Sequence, residues 1–333
     1  MATLNEKIAE VVNSNKTVSV KYFELINDLQ LTHNDAANLL GLSYRQMLAI
    51  RGNHNATTPA RPRRQAAPRP HVPTLAQRLG SYTFGVEMEC KTSLRHEALL
   101  IAFQAANITS HDDYEHYNHR DSIRSYKIMR DGSVNDTDTH YGNEVVSPVL
   151  NNFDTLKEVC KVLNSSEVNA TVDKQCGLHV HVGAKELSDS QYISVFVNYA
   201  YLEAAIDKWM APSRRANEAF YARTLKDHIT ALLRCENRDD VKNALYSSGY
   251  NTSRYHKVNP ESYNRHETIE FRQHQGTTNF TKIKNWVNFC KKLVEFSKTT
   301  RLDHEIAEIA EIPFLTATEK AFFTRRANEF AAN

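Results

Sequence analysis

Three short runs of the chain alternate apolar with ionisable residues: Gly85-Val86-Glu87-Met88-Glu89, Cys176-Gly177-Leu178-His179-Val180-His181-Val182 and Thr268-Ile269-Glu270-Phe271-Arg272-Gln273-His274. Successive side chains of an extended strand point to opposite faces. Glu87 with Glu89, His179 with His181, and Glu270 with Arg272 and His274 therefore each line one face. The other face, built from Val86, Met88, Leu178, Val180, Val182, Ile269 and Phe271, is predicted to turn toward a core. A sheet with three strands of this kind has one face suited at once to metal ions and to phosphate.

The 333 residues, 41% of them apolar, can build one large domain and a small one. A net charge of +2 excludes a chain that coats nucleic acid along its whole length. Cys90, Cys160, Cys176, Cys235 and Cys290 are scattered and form no CxxC pair, which argues against a disulfide framework or a zinc knot and for the reducing cytosol. The amino terminus lacks an apolar signal core, and no apolar run approaches the ~20 residues of a membrane span. The expectation is a soluble cytoplasmic protein with no membrane contact.

Composition divides the chain. Between Arg51 and Pro73 prolines alternate with Arg61, Arg63, Arg64 and Arg69, and little there can pack. The expected domains are a small helical unit over 1–51, a Pro/Arg-rich linker over 52–78 and a main domain over 79–333. In the small unit Thr32-His33-Asn34-Asp35 and Ser43-Tyr44-Arg45-Gln46 read as two capping boxes around Gly41, resembling a helix-turn-helix. Ala37 lets the helices approach, Leu40, Leu42, Met47 and Ile50 supply apolar contacts, and Tyr44, Arg45, Gln46 and Arg51 are left exposed. Residues 1–75 then bind DNA or a protein partner, or form a plain three-helix unit on a solvated tether.

Beyond the linker the pattern is mixed. Strands are predicted at 82–90, 125–130, 143–147, 178–182 and 268–274, and helices at 94–106, 153–164 and 188–210. Two more helices close the chain, one with Ile283, Trp286, Val287, Cys290, Leu293 and Val294 on a stripe, the other opening at the box Thr316-Ala317-Thr318-Glu319. There is no Walker or dinucleotide glycine fingerprint. The varied connections favour an α+β fold with an antiparallel sheet over a doubly wound one.

Residues two apart on a strand lie roughly 6.6 Å apart, whereas paired ions in phosphoryl-transfer sites sit about 3.5–4 Å apart. Glu87 and Glu89 are therefore expected to reach different ions. Glu144, in Gly142-Asn143-Glu144-Val145-Val146-Ser147-Pro148, and Glu270 add two carboxylates, and a mostly oxygen set suits Mg2+ or Mn2+ better than zinc. Arg272 supplies a planar fork that grips phosphate, which points to a nucleotide.

Five motifs in this order, Phe84-Gly85-Val86-Glu87-Met88-Glu89, Asp131-Gly132-Ser133, Glu144-Val145-Val146-Ser147-Pro148, Cys176 to Val182, and Thr268 to Arg272 with Gly276-Thr277, resemble those of the amidoligase family. That family belongs with glutamine synthetase and glutamate-cysteine ligase in the carboxylate-amine ligase superfamily. The resemblance covers roughly residues 82–300 and leaves the amino-terminal unit outside. It implies a glutamine-synthetase-like antiparallel sheet with helices packed on its outer face, and an ATP-dependent ligase that forms an amide or isopeptide bond through an acyl phosphate. The carboxylate and amine are small molecules, peptides or proteins.

Carried over residue by residue, the resemblance makes Glu87, Glu89, Glu144 and Glu270 metal ligands. His179 and Arg272 act on the transferred phosphate, with Glu144 beside them in catalysis. His179, His181, Arg272 and Arg215 meet the nucleotide. Arg214, Arg215 and Tyr221 resemble a segment facing substrate or nucleotide, although an arginine pair at a helix end also caps carbonyls; Tyr255, His256 and Asn259 pose the same choice. Thr268 departs from the pattern, since glutamine synthetases place an arginine two residues before this glutamate. Cys176 reads as a packed cysteine before a tight glycine turn. Two other readings remain open at this point: a zinc hydrolase using His179, His181 and a glutamate, and a DNA-binding regulator whose ligase-like domain senses a ligand.

Overall fold

The computed structural model describes residues 3–43, 45–50, 74–112, 124–130, 132–246 and 252–332. Tyr44, Arg51, Asp131 and nearly all of the Pro/Arg-rich segment lie outside them. The chain separates into two compact units, Met1–Val72 and Pro73–Asn333.

The first unit holds α1 (Leu4–Asn13), α2 (Val18–Asn27), α3 (His33–Leu39) and a helix at 45–50, α4. Thr32 caps α3 by accepting from the Asp35 amide at 3.2 Å, and Ser43 and Gln46 bond each other's amides at the start of α4. Gly41 adopts φ +63° after α3, the left-handed turn that lets the chain reverse. Tyr22, Leu25, Ala36, Ala37 and Met47 form a small core onto which Leu40, Leu42 and Ile50 pack. Arg45 and Gln46 are exposed.

The second unit begins earlier than composition implies. Residues 75–78, assigned to the linker, open α5 (Leu75–Ser81), which a Thr74–Gln77 capping box starts and an Arg78–Glu295 ion pair ties down. Then follow β1 (Phe84–Thr92), α6 (His96–Ala105), β2 (Ser110–Asp112), β3 (Tyr126–Met129), β4 (Tyr141–Val146), α7 (Asp154–Leu163), β5 (Gly177–Gly183) and α8 (Asp189–Asp207). Short helices α9 (Ile229–Leu232) and α10 (Arg238–Leu245) lead to β6 (Val258–Asn259), α11 (Ser262–His266), β7 (Thr268–Gln275), α12 (Phe280–Ser297) and α13 (Ala317–Ala331). No helix of the described residues is long and apolar enough to cross a membrane.

The strands form one open sheet in the order β2-β3-β4-β1-β5-β7-β6. All neighbours run antiparallel except the edge pair β2 and β3. The fold is therefore α+β with an essentially antiparallel sheet, as the connections suggest. Val86, Met88, Leu178, Val180, Val182, Ile269 and Phe271 join the side chains of the helices in one buried cluster. Most of α8 is buried, as expected of a helix apolar nearly all round. On α12 the stripe Ile283, Trp286, Val287, Cys290, Leu293 and Val294 is fully covered.

The alternation of β7 does not run its full length. Leu178 pairs with His274 but Val180 pairs with Phe271, so β7 fits two residues where β5 has only His179. Such a bulge shifts the faces of everything beyond it by one. His274, expected beside Glu270 and Arg272, instead shares the core face with Leu178, its ring 5.5 Å from Trp286. Burial pushes its pKa down to about 3.

Candidate active site

Pairing across five adjacent strands assembles the ionisable face. Glu89 stands opposite Glu144, Glu87 opposite His179, and His181 and Asn259 each opposite Glu270. Directly opposed residues of antiparallel strands share a face within a few ångströms. Side chains from β4, β1, β5, β7 and β6 thus converge although up to 183 positions separate Glu87 from Glu270.

Glu87 is the hub. Its Oε2 lies 3.0 Å from His179 Nδ1 and its Oε1 3.2 Å from His181 Nε2. Two sets of donors bring their ligand atoms within 4.8 Å of one another: Glu87, Glu144 and His179, and Glu87, His181 and Glu270. Glu89 lies just outside both, accepting from the Gly177 amide at 2.5 Å with its Oε1 3.6 Å from His179 Nε2. Gly177 makes that approach feasible, because a Cβ there would sit 3.0 Å from His179 Nε2 and 3.2 Å from Glu89 Oε2. Glu270 is held at both oxygens, by Arg272 Nη1 and Asn259 Nδ2, each at 2.5 Å.

The charges are mutually dependent. Burial alone would raise the pKa of Glu87, but hydrogen bonds from His179 and His181 outweigh it and hold the carboxyl well below the ordinary range. Glu270 is lowered too, burial being outweighed by Arg272 and His181. Burial would depress His181, yet its bond to Glu87 raises it. Arg272 is likewise raised against its own burial by Glu270 and Glu87.

These groups line a cleft of about 480 Å³. Gly132 and Ser133 border it, and Arg130, Arg254 and Arg265 are exposed at its rim. Arg214 enters the cleft, anchored by a 2.7 Å bond to the Cys176 carbonyl. Arg215, expected at the nucleotide, does not: its Nε caps the Met210 carbonyl at 3.0 Å and its guanidinium lies over Phe330. The short 3-10 turn Pro212–Arg214 is what separates the two neighbours. Tyr221 and Tyr255 both reach the cleft, their rings 5.0 Å apart, and the Tyr221 carbonyl accepts from Arg272 Nε at 3.2 Å. His256 faces away, bonded to the Ser253 carbonyl at 3.0 Å, and burial pushes its pKa down to about 4. Cys176 is buried beside Glu89, and its thiol is pushed up to about 11. That suits packing rather than nucleophilic attack.

A family model described as "Putative amidoligase enzyme" matches residues 80–294, from ahead of β1 into α12, and so spans every strand of the sheet. The chain belongs to this family. No curated protein matches the chain. The amidoligase match covers every residue of the ionisable face and points to a ligase-type enzyme.

Several groups that shape this amidoligase cleft escape the strand pattern. Thr268 accounts for its own departure: its hydroxyl lies 3.0 Å from His181 Nδ1, and Ser262 Oγ lies 3.1 Å from the same nitrogen. Together they orient the ring so that Nε2 faces Glu87. Beneath Arg272, Lys257 is fully buried between Glu203 and Asp207, 2.8 Å from each, and the side chain of Gln273 joins Asp207 to Tyr199. No local spacing announces this network, because its members lie just ahead of β6, on β7 and on α8.

Proposed function

We propose that this amidoligase joins a carboxylate to an amine with ATP, by way of an acyl phosphate, on a glutamine-synthetase-like sheet. The observation that supports this reading most is the pair of donor sets sharing Glu87, set directly against the buried guanidinium of Arg272. Each set offers two carboxylates and one imidazole, an oxygen-majority group that fits Mg2+ or Mn2+. Glu87, Glu144 and His179 would hold one ion and Glu87, His181 and Glu270 another, with Glu89 adjoining His179. Such ions, when bound, offset the charge of phosphate oxygens.

In this reading an oxygen of the substrate carboxylate attacks the γ-phosphorus of ATP, the bond to the leaving ADP oxygen breaks, and an acyl phosphate forms. Arg272 is fixed at Nε and Nη1, and among the described residues nothing accepts from its Nη2. That nitrogen can meet a phosphate oxygen as charge develops. The amine nitrogen then attacks the acyl carbon and phosphate departs. Tyr221 and Tyr255 at the mouth offer flat apolar surface to a base or a substrate side chain.

The test is a screen of carboxylate and amine pairs with ATP and Mg2+ or Mn2+, following ADP release and amide product. Chelation should abolish turnover and Mg2+ or Mn2+ restore it. Hydrolysis without ATP, retained with zinc alone, would replace the ligase with a zinc hydrolase.

For the first unit we propose targeting to DNA or to a protein partner through residues 1–75, supported by the exposed Arg45 and Gln46. Binding of the full chain to duplex DNA should weaken steeply as salt rises and again on Arg45→Ala. Absence of any salt-dependent binding would remove the DNA reading. The five free thiols accord with a cytoplasmic setting.

A further inference from the structure

A second cleft lies on the helical side of the sheet and has no part in the ligase reading. It opens where α5, α7 and α12 meet, has a volume of about 520 Å³, and is bordered by Lys157, Lys284 and Lys291. Lys284 and Lys291 stand seven residues apart, with Asn288 between them, on one stripe of α12. Lys157 comes from α7, whose amino terminus, the positive end of its dipole, opens into the same space.

Lys291 carries the argument. It is only 5% exposed, its Nζ lies 5.4 Å over the ring of Phe84, and no oxygen of the described residues accepts from it. Its stem is buried while its ammonium meets the cleft with no counter-charge, and the burial of the side chain lowers its pKa. Lys284 repeats the arrangement at 5.8 Å over Phe153. Asp154 is the single acidic residue among those described around the opening, so three ammonium groups face one carboxylate.

The lining also indicates what kind of anion fits. Its cations are all lysines, compact point charges that suit a phosphate, whereas recognition of a planar carboxylate favours the arginine fork. Phe153 and Phe280, edge to face at 6.3 Å, add an apolar wall beside the amines. We propose that this cleft binds a small phosphorylated metabolite, its phosphate among Lys157, Lys284 and Lys291 and its apolar body against Phe153 and Phe280.

Calorimetric titration of the full chain with AMP, and separately with inorganic phosphate, tests the site. Lys157 and Lys284 are exposed, so their alanine variants should fold. Each should weaken AMP binding about tenfold, the loss of one charge-assisted contact, while Arg272→Ala leaves this binding in place. Lys291→Met, close in shape, should weaken it similarly, with an unchanged circular dichroism spectrum showing that the fold persists. Asp154→Asn should tighten it. Equal affinities for AMP and inorganic phosphate would overturn the part assigned to the phenylalanines. Failure of both ligands to bind, or binding abolished by Arg272→Ala and indifferent to Lys157→Ala and Lys284→Ala, would overturn the site itself.

Discussion

The two faces of the one sheet are almost equally buried and are held together by opposite means. On the helical face Val180, Val182, Ile269 and Phe271 lie fully covered among α8 and α12. On the cleft face His179, Glu270 and Arg272 are also at most 8% exposed, yet each is held by a named polar partner. Apolar contacts are short-ranged and interchangeable, so the first face is a matter of volume. Buried charges act on one another through a low dielectric, so the second is a matter of exact pairing. The first face should govern stability alone, whereas the second should govern activity and contribute to stability only while its charges stay paired.

The largest expected effect is on the helical face. Trp286→Ala should destabilise the fold by about 3–5 kcal/mol, measured by urea unfolding. A loss below about 1 kcal/mol would mean that α12 is not anchored as described. On the cleft face Arg272→Ala should lower ligase turnover by roughly 10² to 10³, and it should also lower the unfolding midpoint, because Glu270 is left buried without its counter-charge. Unaltered turnover on the true substrates would end its assignment to the transferred phosphate.

His274 sharpens the division, because the bulge moves it from one face to the other. Burial holds the folded imidazole near pKa about 3, below the 6.5 of the unfolded chain. As pH falls below 6.5 the unfolded chain takes up a proton that the folded one refuses, so stability is full above that pH and declines toward the folded value. By pH 4 the loss is about 3 kcal/mol. His274→Gln should flatten unfolding free energy against pH by about one proton; identical slopes would mean that burial does not depress the His274 imidazole.

The smallest effect probes orientation. Thr268→Val removes a hydroxyl that holds His181 and should weaken metal-dependent activity by roughly 10 to 100-fold. Thr268→Ser should restore it, and no difference between Val and Ser would deny Thr268 a positioning role.

Much of this could be read from residue order. Alternation identified β1, β5 and β7, the apolar stripe identified α12, and the Thr316 box marks the start of α13. The same capping logic at Thr74-Leu75-Ala76-Gln77 would have shown that a helix begins inside the apparent linker. Other features left no local trace. The β7 bulge is a mismatch between two strands and is invisible in either alone. Arg214 and Arg215 are equivalent in sequence, and only the turn that ends at Arg214 sends one to the cleft and the other to the Met210 carbonyl.

What the amino-acid sequence determined by itself is which side chains share a strand face, since that follows from a backbone period of two residues. What only the tertiary structure decided is which faces meet. The strands that bring Glu87, Glu144, His181 and Glu270 together are neighbours in the sheet and distant in the chain. Their registers are set by long-range packing of the opposite, apolar face, so the core places the charges that the cleft uses.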